Sequence, residues 1–221
     1  MLFRSAPIHV LTSEVLTAVF VPHFRKSMQE NKAEAWALFS GLGLLLFLLA
    51  TLLSTGLFLG AEYIVSLLYP GFSPARAELV NQMLRFMAVG VPFYVLFGLL
   101  SSLEAGHGFF RLVGLRPLIQ NIGVIIAIIL GYFGNNPVWI AWGFCGSYVL
   151  LDVLALVLII KNKFLDKHWH RYFARSKPSL VRMWQASKPV LLFSGLCQGN
   201  LVLEKAVASL VGAGEIGRAH V

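Results

Sequence analysis

The stretch Ala35–Leu59 constrains this chain more than any other: it runs without a single charge, and Leu42–Leu53 is almost wholly aliphatic. A helix needs about 20 mostly apolar residues to cross the hydrocarbon core of a bilayer. Four further runs have the same character: Leu84–Leu103, which carries Pro92, then Leu118–Phe133, Val138–Ile160 and Pro189–Val211. The opening stretch, Ile8–Val21, is shorter and more polar, and reads as the second half of a span whose beginning is missing. It is not a signal peptide, because it lacks both a basic leader before an apolar centre and a small-residue cleavage site. The expectation is an all-α, polytopic transmembrane helix bundle of about six spans, the first incomplete.

Composition closes off the alternatives. Hydrophobic residues make up 57% of the 221 and charged ones 13%, with a mean hydropathy of +0.75. Disorder needs the reverse balance, and a soluble globule could not cover so much apolar surface. Barrel strands would alternate lipid-facing and lumen-facing residues over roughly ten positions, and these runs do not alternate. Cys145 and Cys197 both lie inside apolar runs and read as free thiols, with neither a disulfide framework nor a metal site implied.

The net charge of +8 would suggest nucleic acid in a soluble protein, but its distribution gives a simpler account. His23–Glu34 carries Arg25, Lys26 and Lys32; Glu104–Pro117 carries Arg111 and Arg116; Lys161–Lys188 carries eight Lys and Arg residues. These segments alternate with Gly60–Met83, whose only base, Arg76, is opposed by Glu62 and Glu78, and with the uncharged Gly134–Pro137. Thirteen of the 18 basic residues thus fall on one side, as the positive-inside rule requires of cytoplasmic loops. No nucleic-acid partner is expected. Within Lys161–Lys188, Leu165, Trp169, Tyr172 and Phe173 recur at helical spacing, which suits a short amphipathic helix at the membrane surface, the alternative being a solvated connector. His168 and His170 have no third ligand nearby, so no metal is expected.

Ionisable groups inside spans are costly and mark function by default. The last run holds Gln198, Asn200, Glu204 and Lys205, which share one half of a helix at about 100° per residue. That half lines a polar cavity or forms a hydrogen-bonded packing cluster. Arg4, His9, Thr12, Ser13 and Glu14 make the first segment polar, and Arg4 could grip a phosphate through its planar fork. Asp152 lies inside Val138–Ile160 and should face the bundle. Gly41, Gly43, Gly143 and Gly146 look like close-packing positions. No nucleotide loop, nucleophile elbow, zinc-protease motif or paired-carboxylate constellation is present, so no enzyme chemistry and no cofactor are expected.

Taken in order, several short patterns resemble one family. Arg4 followed by Leu16–Pro22 is similar to the second helix of the MurJ/MviN lipid II flippases, and Tyr69-Pro70-Gly71-Phe72 resembles the Pro-Gly-Phe after their third. Leu84-Arg85-Phe86 with Pro92, Pro117 with Asn121, and Ala141-Trp142-Gly143 resemble their fourth, fifth and sixth helices. Pro189 with Glu204–Gly212 resembles the seventh. The family's second Arg is replaced here by Ser5, and its acidic–Gly pair by Ser13-Glu14.

The resemblance implies a piece of a two-lobed, fourteen-helix flippase fold in the bacterial cytoplasmic membrane. Residues 1–160 would be helices of the first lobe, 161–188 a cytoplasmic basic amphipathic linker, and 189–214 the first helix of the second lobe. Residues 215–221 match one frame of a common sequencing adapter and would be a non-native tail. The implied activity is flipping of undecaprenyl-pyrophosphate-linked peptidoglycan precursor, lipid II, by alternating access. The resemblance carries over Arg4 alone, as a pyrophosphate contact; Gln198, Asn200, Glu204 and Lys205, from their shared half of a helix, would also face the lipid-linked oligosaccharide, and cell-wall synthesis proteins would be partners. Alternatives are an exporter of O-antigen or exopolysaccharide carriers, a drug antiporter of the same class, or a membrane-embedded glycosyltransferase. The last should show a carboxylate or metal cluster in an outer loop, where only Glu62 and Glu78 are available.

Overall fold

The computed structural model describes residues 16–211, and gives the backbone alone for Ser194, Gln198, Leu201, Val202 and 204–211. It is built from α1 (Val21–Glu30), α2 (Lys32–Leu59), α3 (Ala61–Leu68), α4 (Pro74–Gly106), α5 (Arg111–Phe133), α6 (Trp139–Lys161), a 3-10 helix (Trp169–Arg175) and α7 (Lys177–Val211). No strand occurs among the described residues.

Four of these helices, α2, α4, α5 and α6, are long and apolar enough to cross a membrane. They coincide with four of the five runs expected. The fifth, Pro189–Val211, is helical as the second part of α7.

The helix starts lie earlier than the apolar runs suggest. Gly60–Met83 is not a loop: it contains α3 and the first turns of α4, whose start is set by Ser73 ahead of Pro74 in the first turn. α5 begins at Arg111 and α7 at Lys177, so Pro117 and Pro189 lie inside helices and not at their beginnings. The reason is physical. Hydropathy reports where a helix meets lipid, whereas backbone hydrogen bonding continues the helix past that boundary. At Asn31 one residue both ends α1 and starts α2: its backbone is extended, and its side-chain oxygen accepts from the Ala33 N–H at 3.1 Å.

The long helices pack as a row in the order α2, α4, α6, α5, with α1 across α2 and α4 and the first part of α7 against α2. α6 presents Ala141, Tyr148, Leu151, Asp152, Ala155 and Ile159 inward at helical spacing. The α5–α6 contact depends on glycine. A Cβ on Gly143 would stand 2.2 Å from Ala127 Cβ and 2.7 Å from the Gly123 carbonyl oxygen. A Cβ on Gly41 would stand as close to Ser176 at the start of α7, at 2.5 Å. Gly146, expected to pack closely, instead opens onto free space.

The three basic segments meet at one end of the row. Arg25 donates to the backbone oxygens of Ala105 and Gly106, and its guanidinium lies over the Phe110 ring. Phe24 packs edge-on to Trp36 and beside His107; His107 stacks on Phe164 with centroids 4.7 Å apart. Arg182 and Ser179 of α7 reach Glu34 of α2. Segments far apart in sequence are thus tied by rings and charge-assisted hydrogen bonds.

The expected surface α-helix around Leu165–Phe173 takes another form. Lys163 stands at φ 54°, which stops α6, and Asp166 accepts from the His168 N–H at 2.7 Å to form a turn. What remains is a seven-residue 3-10 helix. Leu165, Trp169 and Tyr172 pack against the core, Trp169 edge-on to Phe39, while Phe173 stays exposed.

Candidate functional site

Of the residues expected to form a substrate path, only Asn200 has a described side chain. Arg4 lies outside the described residues. Gln198, Asn200, Glu204 and Lys205 all stand on the last turns of α7. Asn200 is the one of the four whose side chain is described, and it is exposed, as are Leu192, Phe193, Leu196 and Leu203 on the same stretch. The described side chains of α7 beyond Leu191 are thus all exposed.

The polar groups that the structure does assemble lie between α4, α5 and α6. They begin with the α4–α5 corner, where Glu104, fully buried, accepts from Arg111 Nε at 2.9 Å and from the Leu112 N–H at 2.8 Å. Arg111 is thereby neutralised. Arg116, five residues further along α5, is not. Its Nε donates to Tyr148 Oη at 3.2 Å and its Nη2 to Tyr94 Oη at 3.4 Å. The guanidinium carbon lies 5.3 Å from the Tyr94 ring centroid and 5.8 Å from that of Tyr148. Tyr148 in turn donates to Gln120 Oε1 at 3.4 Å, and the two tyrosine rings meet edge-on at 4.9 Å. Phe144 packs against Tyr148 from its own helix.

Among the described residues no carboxylate comes within ion-pairing distance of Arg116. The pairs present there are Lys26–Glu30, Arg111–Glu104, His168–Asp166 and Arg182–Glu34. One turn beyond Tyr148 on α6, Asp152 is 4% exposed, and among the described residues neither carboxylate oxygen has a hydrogen-bond partner. Toward the other end of α4, Arg85 Nε and Asn81 Oδ1 are likewise buried without partners among the described residues, with the Arg85 guanidinium 6.0 Å from the Phe58 ring centroid. A cation held by two phenols can receive an anion; an orphaned carboxylate can take a proton or a cation. Among the described residues no group of three His, Cys, Asp or Glu side chains could hold a metal.

Sequence reading misses Arg116 by assigning it to the Glu104–Pro117 loop. The signal that could find it is the pair of four-residue spacings Arg116–Gln120 and Tyr148–Asp152, each of which sets two polar groups on one helix face.

Residues 8–217 match the family described as lipid II flippase MurJ. The chain belongs to that family. A curated member, the probable lipid II flippase MurJ of Rhizobium tropici, is 28% identical over 206 residues, which cover 87% of this chain and 37% of that protein. The chain thus spans a little over a third of the length of this MurJ relative. No solved structure matches it. Membership in the MurJ family agrees with the resemblance drawn from Leu16–Pro22, Tyr69–Phe72 and the later patterns, and with an all-α bundle of long apolar helices.

Proposed function

We propose that the gene product containing this chain flips lipid II across the bacterial cytoplasmic membrane by alternating access. In this reading it is a transporter that carries out no covalent chemistry. The observation that carries it is the family match over residues 8–217, nearly the whole chain. The physical character of the bundle supports it. Four apolar helices have spanning length. Basic segments gather at one end through Arg25, His107 and Glu34. Two cations, Arg85 and Arg116, are retained inside the row. The basic end then faces the cytoplasm, and cell-wall synthesis proteins are the partners this reading assigns.

Arg4, Gln198, Asn200, Glu204 and Lys205 belong to the substrate path in this reading, since charge and amide groups in a span require water or protein around them. Cysteines at 198, 200 and 204 should react with small water-soluble thiol reagents faster than one at Leu203, and equal protection at all four would remove them from the path. The function itself is tested by expressing the gene that encodes this chain in cells depleted of their own lipid II flippase, with membrane levels verified. Restored growth is expected. Continued lysis at normal protein levels would contradict the reading.

A further inference from the structure

The charge of Arg116 lacks a counterion among the described residues, although two phenol oxygens accept from its side chain. A guanidinium has five N–H donors arranged along two edges. The Nε and Nη2 donors on one edge are taken by Tyr148 and Tyr94. Nη1 has no partner among the described residues and is not sealed from solvent, so the end-on edge, Nη1 with the second Nη2 hydrogen, remains available. Two parallel N–H groups on that edge match two oxygens of a phosphate. Tyr94, which accepts from Arg116, has no acceptor of its own for its hydroxyl hydrogen among the described residues. It adds a third donor beside the same edge.

Depth narrows the choice of anion. Tyr94 stands twelve residues before the end of α4 at Gly106, and Tyr148 thirteen before the end of α6 at Lys161. At about 1.5 Å per residue their α-carbons lie roughly 18–20 Å along each helix from the basic end, and that of Arg116, five residues into α5, about 8 Å. An arginine in the second turn of α5 would ordinarily extend back to the nearby interface. Arg116 is instead held by two groups deeper in the row. A resting lipid headgroup sits at the surface, whereas a headgroup carried through the protein passes this level.

We propose that Arg116, positioned by Tyr94 and Tyr148, binds the pyrophosphate of a polyprenyl-pyrophosphate-linked substrate during its passage. This rests on the flippase reading and adds to it a site on α5 that none of Arg4, Gln198, Asn200, Glu204 or Lys205 supplies. The tyrosines fix the fork, and the rings stabilise the cation while the site is empty. No bond is made or broken; the phosphate oxygens exchange water for N–H and O–H donors.

The test uses the chain in nanodiscs of neutral phosphatidylcholine and a photoreactive undecaprenyl pyrophosphate. Arg116→Gln should lower specific labelling at least tenfold, Arg116→Lys less, because it keeps the charge and loses the fork, and Tyr94→Phe about threefold. Unlabelled undecaprenyl pyrophosphate should displace the probe, inorganic pyrophosphate only at higher concentration, and phosphatidylglycerol at equal concentration not at all. Thermal unfolding of each variant separates binding from folding. Wild-type labelling in a folded Arg116→Gln variant would overturn the site and leave the flippase reading standing. Should that variant not fold, unchanged labelling in both Arg116→Lys and Tyr94→Phe would overturn it equally. Displacement by phosphatidylglycerol would overturn the assignment to the carrier. A wild-type chain that captures no probe would count against the flippase reading and the site together.

Discussion

Asp152 is the residue whose environment is least favourable to it. Its carboxylate is buried on α6 with no donor in reach among the described residues, although Tyr148, one turn away, belongs to a connected set with Arg116 and Gln120. A buried polar group left unsatisfied costs about 1–3 kcal/mol. Asp152→Leu, which keeps the number and branching of side-chain heavy atoms and removes the charge, should therefore raise stability by up to about that amount, read as a higher unfolding temperature in detergent. A lower unfolding temperature would mean that Asp152 has a stabilising partner. At this scale the sequence is only partly legible. Asp152 is recognisable as inward-facing, because a charge in an apolar run has nowhere else to go. Arg116 is not, because its depth depends on where α5 begins and on which phenols face it from α4 and α6.

At the scale of elements, the α5–α6 contact makes a sharp distinction between two glycines three residues apart. Gly143→Ala places a methyl group against Ala127 and the Gly123 carbonyl, and the helices must separate. Overpacking of that kind costs about 1–3 kcal/mol. Gly146→Ala meets nothing within 4 Å and should be neutral, or stabilising by about 0.5–1 kcal/mol through helix propensity. Parallel thermal unfolding of the two variants checks this, and equal losses would contradict the packing. Sequence reading marks both glycines alike, since small residues signal a close approach without saying which face makes it. It places the cores of α2, α4, α5 and α6 well, because lipid imposes an apolar run of fixed length. It places their beginnings poorly, because Pro74–Met83 and Arg111–Pro117 are helical through backbone hydrogen bonds and capping, which hydropathy does not register. Around Trp169 the helical spacing correctly marks the residues that dock, while the turn at Lys163 and Asp166 leaves room for a 3-10 helix only.

For the whole molecule, the decisive feature is that His23–Glu34, Glu104–Phe110 and the region around Phe164 and Arg182 converge on one end of the row. Their charges are visible in the sequence; their contacts are not, because ring stacking between Phe24, His107 and Phe164 joins positions far apart along the chain. The arrangement predicts that this end is cytoplasmic. With Cys145 and Cys197 replaced, single cysteines at the exposed positions Gln29 and Lys167 should resist an impermeant thiol reagent until the cells are opened, while one at Ser73 should react from outside. The opposite pattern would invert the orientation and remove Arg116 from the side where the substrate enters.

The most direct measurement of the central claim is translocation itself. The product of the gene that encodes this chain would be reconstituted into vesicles containing fluorescent lipid II, and an impermeant quencher added outside. The account predicts that the protected inner-leaflet pool becomes accessible in vesicles that hold the protein and stays protected in empty ones. A pool that remains protected, with the protein correctly folded and inserted, would contradict it.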